Sequence, residues 1–278
     1  MSSNDDEGPS GDAFMRGIDL EAQGKHAEAL DAFQQATQAN PNSGVAWTHL
    51  GAMLQSAGRT EESLAAFDQA LKIDPRNAYA WEGKARGLML QRAYREAIDC
   101  SERALAINPK LVEALYVKGR SLASSDDKRR LQEALKTLDQ ALALNPNHVA
   151  ALAYKAFALG MLGRYDEAIP PGLKAVSLNP NYDMVWRILA TAYWNRRDFD
   201  RALHAVDQAL RLDLQDEGAW VLKGGILRNA FAFSSDITQL NDAIAAFDQA
   251  LALDPSDWAA QQGRNEAFGV QKRFGRRR

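Results

Sequence analysis

Residues 44–77 read GVAWTHLGAMLQSAGRTEESLAAFDQALKIDPRN, and this stretch decides the fold. Trp47, Leu50, Gly51 and Leu54 stand three and four residues apart, which places them on one face of a first helix. Gly58 breaks the pattern, and a second helical stretch carries Ser63, Phe67 and Ala70 up to Asp74-Pro75. Proline has no N–H to donate and pushes the preceding residue out of the helical region, so the second helix stops there.

The same pattern recurs outward in both directions. AFQQATQANP ends at Pro41, TLDQALALNP at Pro146, AVDQALRLDL at Leu214 and AFDQALALDP at Pro255, with further closing prolines at Pro109 and Pro180. Pro41, Pro75 and Pro109 are 34 residues apart, as are Pro146 and Pro180. The step from Pro109 to Pro146 is 37, and Pro180 to Pro255 divides at Leu214 into steps of 34 and 41, so three and seven residues are inserted. Seven repeats follow, at 10–43, 44–77, 78–111, 112–148, 149–182, 183–216 and 217–257, covering 248 of 278 residues. A fixed period of this length is the mark of a stacked repeat architecture.

Each repeat places a small residue where its two helices cross. In the second helix these are Ala29, Ser63, Ala97, Ala134, Ala168, Ala202 and Ala243; opposite them stand Gly17, Gly51, Ala85, Gly119, Ala156, Ala190 and Gly224. Larger groups at either place would force the helices apart at roughly 1–3 kcal/mol.

Composition limits the function classes. The chain carries 33 basic and 36 acidic side chains, a formal charge of −3, 46% apolar residues and one cysteine, Cys100. One thiol cannot close an intramolecular disulfide, and there is no CxxC or Cys/His cluster for zinc. The start, Met-Ser-Ser-Asn-Asp-Asp-Glu-Gly, lacks a signal-peptide pattern, and no run of about 18 apolar residues is long enough to span a bilayer. A reduced, cytoplasmic protein with no membrane contact is the expectation.

The motif of Trp, Leu-Gly and Tyr in a first helix, then Ala, Phe, Ala and Pro in a second, resembles the tetratricopeptide repeat family. The second repeat carries it nearly whole in Trp47, Leu50, Gly51, Phe67, Ala70 and Pro75. The resemblance implies an all-α, right-handed α-solenoid of seven helix–turn–helix repeats, with first helices lining a concave groove. Residues 258–272 read as a capping helix with Trp258 and Phe268 inward and Gln261, Gln262, Arg264 and Glu266 toward water, because the end of a solenoid has no neighbour to cover it. Residues 273–278 form a basic tail, and residues 1–9 are expected to be disordered.

Several places depart from the pattern. Pro170 and Pro171 stand where a second helix should run, and Gly172 replaces the expected Phe, which predicts a late-starting or kinked helix or a bend in the stack. The seven-residue insertion within 228–241 either lengthens both helices of its repeat or forms a protruding loop bearing Phe231 and Phe233. Residues 124–130 read as a solvated turn of mixed charge, and Leu214 weakens a stop without moving the register.

No phosphate-cradling glycine loop, HExxH or nucleophile elbow is present, so no catalytic residue is assigned and an enzyme is not expected. His26, His49, His148 and His204 are scattered and lack the spacing of a metal site, so no metal or cofactor is expected. The family's groove positions, carried onto this chain, give Phe14, Met15 and Ile18; His49 and Gln55; Tyr79, Glu82, Arg86 and Met89; Glu113, Tyr116 and Arg120. They continue through Tyr154, Phe157 and Met161; Met184, Arg187, Trp194 and Asn195; and Arg228 and Asn229. Some of these, Ile18, Phe157 and Met161 above all, pack against a neighbouring first helix in the alternative reading.

Aromatics, methionine and arginine are enriched at the centres of binding interfaces. The resemblance therefore implies a scaffold holding another protein, through an extended or helical segment with acidic groups for Arg86, Arg120 and Arg187 and apolar groups for Tyr79, Tyr116, Tyr154 and Trp194. The carboxylate clamp used by family members that bind chaperone C-termini is missing, since Phe14, Ile18, Thr48 and Ala52 occupy its first places. Binding of RNA or single-stranded DNA is disfavoured by the net charge and by Glu82 and Glu113. Self-association, one chain fitting another's groove, is the third reading.

Overall fold

A computed structural model describes residues 9–124 and 127–275. Among the described residues there are fifteen α-helices and no strand. α1 (Pro9–Ala22) pairs with α2 (His26–Ala39), α3 (Gly44–Ser56) with α4 (Thr60–Ile73) and α5 (Ala78–Leu90) with α6 (Tyr94–Ile107). α7 (Val112–Ala123) meets α8 (Lys128–Leu144) where Gly119 faces Leu138. α9 (Val149–Met161) pairs with α10 (Tyr165–Leu178), α11 (Asp183–Asn195) with α12 (Phe199–Leu212) and α13 (Glu217–Ser234) with α14 (Ile237–Leu253), while α15 (Trp258–Gly275) packs on α14 and α13. The fold is an all-α helical-repeat solenoid.

The chain divides into two compact units: Met1–Ser125 with Lys136–Asn145, and Asp126–Leu135 with Pro146–Arg278, the boundary falling within α8. Inside each unit phenylalanine rings interlock neighbouring helices. Phe67 is buried against Gly51 of its own hairpin and Gly83 of the next: a Cβ on these glycines would stand 2.8 and 2.2 Å from the ring. Phe33 repeats the contact with Gly17, and Phe247 repeats it with Gly224 and Gly263. Between hairpins, Lys84 pairs with Asp68 at 2.5 Å, Lys118 with Glu102 at 2.8 Å and Lys223 with Asp207 at 2.7 Å, and Arg264 of α15 pairs with Asp248 at 2.6 Å.

The turns are set by local side-chain bonds. Asn40, Asp74, Asn108 and Asn179 each accept, through a side-chain oxygen, the N–H two residues on, at 2.9–3.1 Å. Asp213 makes the same bond to Gln215 N–H at 2.8 Å, so α12 stops at Leu212 although Leu214 stands where proline does elsewhere. The indole N–H at the fourth place of a first helix then donates back to the carbonyl after the cap: Trp47 to Pro41, Trp81 to Pro75, Trp186 to Pro180 and Trp220 to Leu214, at 2.8–3.0 Å.

The structure corrects several sequence expectations. α10 starts at Tyr165 and runs through Pro170 and Pro171 without a late start. The carbonyls deprived of a donor are those of Asp166 and Glu167, both residues exposed and so open to solvent, while Ala168, Ile169, Ala175 and Val176 anchor the helix. The missing ring at Gly172 is replaced from the next helix by Leu189, which lies 3.0 Å from where a Cβ would be. Replacing Pro170 and Pro171 together by alanine is expected to stabilise the protein by about 2 kcal/mol, since alanine restores two donors to the ladder; urea denaturation followed by circular dichroism checks it.

The seven inserted residues lengthen both helices: α13 has 18 residues and α14 has 17, against 13 and 14 in α3 and α4. Phe231 is buried and Phe233 is 62% exposed. Lys128, Arg129 and Arg130, expected in a turn, form the first turn of α8, and Ser125 and Asp126 lie outside the described residues. Pro9, expected in a disordered segment, begins α1; residues 1–8 and 276–278 lie outside the described residues, and 273–275 belong to α15.

Trp258 and Phe268 do not face inward; they are 72% and 41% exposed, and Ala260, Gly263 and Ala267 pack instead. Register explains this. Trp258 occupies the first place of its helix, and the fourth place holds Gln261, whose side chain donates to Pro255 O at 2.7 Å as the tryptophans do elsewhere. Phe268 stands where a following second helix would cover it, and α15 has none after it in the described chain.

Candidate functional site

In unit one, the side chains assigned to the groove divide into packed and open ones. Phe14 packs on Phe33 and His49 with centroids at 5.7 and 5.4 Å, and His49 stacks on Phe33 at 5.1 Å with Nδ1 at 3.4 Å from Glu21 Oε2. His49 stands at the place where Gly83 stands in the next hairpin, and its ring stacks on Phe33 where Gly83 leaves room for Phe67. Tyr116 and Met89 are buried, because they sit where neighbouring first helices touch. Met15 and Tyr79 remain open at 58% and 62%.

The arginines in unit one have acceptors from their own chain. Arg86 donates to Glu82 at 2.6 Å and approaches Glu113 at 3.7 Å. Glu82 is buried, and burial pushes its carboxyl above the ordinary range against the opposing pull of Arg86. Arg120 donates to Tyr116 Oη at 3.2 Å. Arg86, expected to meet a partner's acid, already has Glu82 and Glu113 of its own chain beside it. Gln55 donates to Gly83 O at 3.1 Å and ties α3 to α5.

Unit two places its assigned residues along a series of clefts on the first-helix side. A cleft of about 360 Å³ is lined by Phe157, Met161, Met184, Arg187, Ile188 and Leu222. Met161 is 48% exposed, whereas Phe157 is half-buried, with its ring 6.1 Å from that of Tyr154. A second cleft, about 430 Å³, lies between Trp194, Leu222, Gly225, Arg228, Trp258 and Glu266. Arg187 pairs with Asp216 at 2.8 Å and Arg228 with Glu266, so these arginines too are neutralised within the chain. Asn195 is exposed and donates to Thr191 O at 2.9 Å, and Asn229 is half-buried beside Arg228.

Sequence reasoning missed Ile188, Leu222 and Trp258 as cleft residues. Ile188 and Leu222 stand at the sixth place of their first helices, where His49 and Gly83 stand in unit one, and that register was the available signal. Trp258 is assigned to the wrong side only if its position within α15 is ignored.

Among the described residues, no group of three or more His, Cys, Asp or Glu side chains is arranged to hold a metal ion, and no helix is long and apolar enough to cross a membrane. Cys100 is buried, and burial pushes its thiol up.

Comparison with known proteins places this geometry in context. A family model described as tetratricopeptide repeat matches residues 14–78 and 189–231, and one described as anaphase-promoting complex, cyclosome, subunit 3 matches 76–170. No curated protein matches by sequence. Among solved structures, a chain of the APC/C hetero-tetramer Cut9–Hcn1 superposes with a TM-score of 0.69 at 18% identity, over 95% of this chain and 47% of its own. This chain thus spans about half the length of that one. Pseudomonas aeruginosa pilF gives 0.67 at 21% identity over 80% and 97%, and YrrB, a TPR protein with an unusual peptide-binding site, gives 0.54 at 24% over 68% and 96%. With its 34-residue period, its helical hairpins interlocked by Phe67 and Phe247, and these matches, the chain belongs to the tetratricopeptide repeat family.

Proposed function

We propose that this chain is a non-enzymatic scaffold that binds a segment of a partner protein along the first-helix side of unit two. The tetratricopeptide repeat fold is in general a protein–protein interaction scaffold, which supports the class of function. The observation that carries the placement is the cleft of about 360 Å³ with Met161, Ile188 and Leu222 in its lining and Met161 48% exposed. An open apolar cleft with a few polar groups at its edge is what a side chain of a bound segment fills. YrrB, similar in fold, is a peptide binder by its description, in keeping with this reading.

A nucleic-acid ligand fits less well, because Arg86, Arg187 and Arg228 each sit on a carboxylate and are not free to meet phosphates. Selection of a phage-displayed random peptide library against the whole chain tests the proposal. The selected peptides are expected to lose at least tenfold in affinity when Met161→Glu and Leu222→Glu are combined, measured by calorimetry on protein with unchanged circular dichroism. Unchanged affinity for that variant, or a library that yields no enriched peptide, overturns the reading.

A further inference from the structure

Unit two ends in a surface that the 34-residue period does not provide. The lengthened α13 carries Phe231, Ala232 and Phe233 beyond the 13-residue length of α3, α5, α9 and α11, and α15 has 18 residues alongside it. A cleft of about 920 Å³ lies on one side of this extension, and one of about 360 Å³ on the other; both are lined by Asn229 and Ala232, which form the ridge between them.

Charge in this surface runs against that of the chain. The lining of the two clefts contains three arginines, Arg197, Arg228 and Arg273, and one carboxylate, Glu266, an excess of two positive charges (three minus one) on a chain whose net charge is −3. Glu266 is fully engaged: its Oε2 takes Arg228 and its Oε1 accepts from Gln262 at 2.9 Å. Arg197 and Arg273 are exposed and have no carboxylate partner among the described residues. This differs from Arg86 and Arg187, which are held by acids of their own chain.

One of the cations stands on an exposed ring. The Arg197 guanidinium lies over Phe233 at 5.4 Å, with Phe199 at 5.3 Å from the same ring, while Arg273 lines the larger cleft with Phe231 and Val270. Arg273 donates through Nε to Gly269 O at 3.0 Å, which leaves its terminal nitrogens to a ligand, and a guanidinium binds a carboxylate in a fixed two-point geometry.

We infer that the protruding end of α13 is a docking surface for an acidic peptide segment of a partner protein, with carboxylates on Arg197 and Arg273 and an apolar side chain on Phe233. This rests on the reading of the chain as a peptide-binding scaffold, and it moves the acid-recognising end of the site from Arg86, Arg120 and Arg187 to the lengthened repeat.

The test uses the whole chain and the same displayed random library, selected against wild type and against Arg197→Glu/Arg273→Glu. Both arginines are exposed, so the variant folds; circular dichroism and the melting midpoint verify that. Peptides enriched on wild type are expected to combine Asp or Glu with aromatic or aliphatic residues, to lose at least tenfold in affinity on the charge-reversed variant, and to weaken as salt is raised from 50 to 300 mM. Phe233→Ser is expected to give a comparable loss. Enriched peptides without carboxylates, or affinities indifferent to the charge reversal, overturn the inference. Peptides that ignore the reversal but are lost with Met161→Glu/Leu222→Glu keep the proposed function and remove this surface from it. Enrichment of nothing overturns both.

Discussion

Phe67→Ala is expected to lower the unfolding free energy by about 3–5 kcal/mol, the range for removing a fully buried phenylalanine. The ring is 1% exposed and lies against the backbones of Gly51 and Gly83. The substitution therefore opens a cavity inside one hairpin and at the junction with the next, and no neighbouring side chain is placed to fill both. In a repeat array stability is close to a sum of repeat and junction contributions, so this loss falls on two neighbouring hairpins. Urea denaturation followed by circular dichroism measures the total, and amide hydrogen exchange shows lost protection concentrated in α3–α6. A loss below about 1.5 kcal/mol would mean that the ring does not join the hairpins. Gly83→Ala approaches the same contact from the other side: its Cβ would stand 2.2 Å from Phe67 Cζ, so it is expected to cost about 1–3 kcal/mol. Combining it with Phe67→Leu is expected to cost less than the sum of the two, because the smaller side chain leaves room for the methyl group.

Arg86→Met is expected to cost about 3 kcal/mol at neutral pH and progressively less in acid. Removing one partner of a buried pair leaves an uncompensated charge, here the Glu82 carboxylate. Arg86 is 38% exposed along its side chain and Glu82 only 10%, so it is the acid that suffers. The pH dependence follows from the direction of the shift. Burial raises the Glu82 carboxyl above its ordinary value of 4.5 in the folded protein, so the native state holds the proton more tightly than the unfolded chain does. Its contribution to stability is fully present below about 4.5 and is lost as pH rises through the folded value. Without Arg86 the folded value moves further up, so the penalty is largest near pH 7 and fades below about 4.5. Melting midpoints from pH 4 to 8, for Arg86→Met alone and combined with Glu82→Gln, check this. A penalty of equal size at both ends, or one that Glu82→Gln fails to relieve, would place the role of Arg86 elsewhere.

The two predictions concern features of different legibility. Phe67 is visible in the sequence, because a ring that recurs at Phe33, Phe67 and Phe247 beside small residues states its own packing. Gly83 was not singled out: its meaning depends on the ring arriving from the preceding hairpin. The family position of Arg86 points it at a partner, yet Glu82 stands four residues before it on the same helix, a pairing that helical spacing alone allows. The partners of Arg187 and Arg228 are 29 and 38 residues away, in the next hairpin and in α15, and local spacing does not reveal them. The cleft residues follow the same division, with Trp194 and Met161 legible by family position and Leu222 and Trp258 legible only by register.

By itself, the sequence determined the hairpins, their period and most of their ends. These depend on interactions closed within a few residues: the i to i+4 ladder, the loss of a donor at proline, and side-chain bonds such as that of Asp213, which ends a helix without one. The tertiary structure decided whether α10 survives Pro170 and Pro171, whether the inserted residues become helix or loop, and which arginines keep a charge to offer. Each depends on burial and on charges brought together from separate hairpins, and a buried anchor or a carboxylate across a junction outweighs the local preference of the residues it holds.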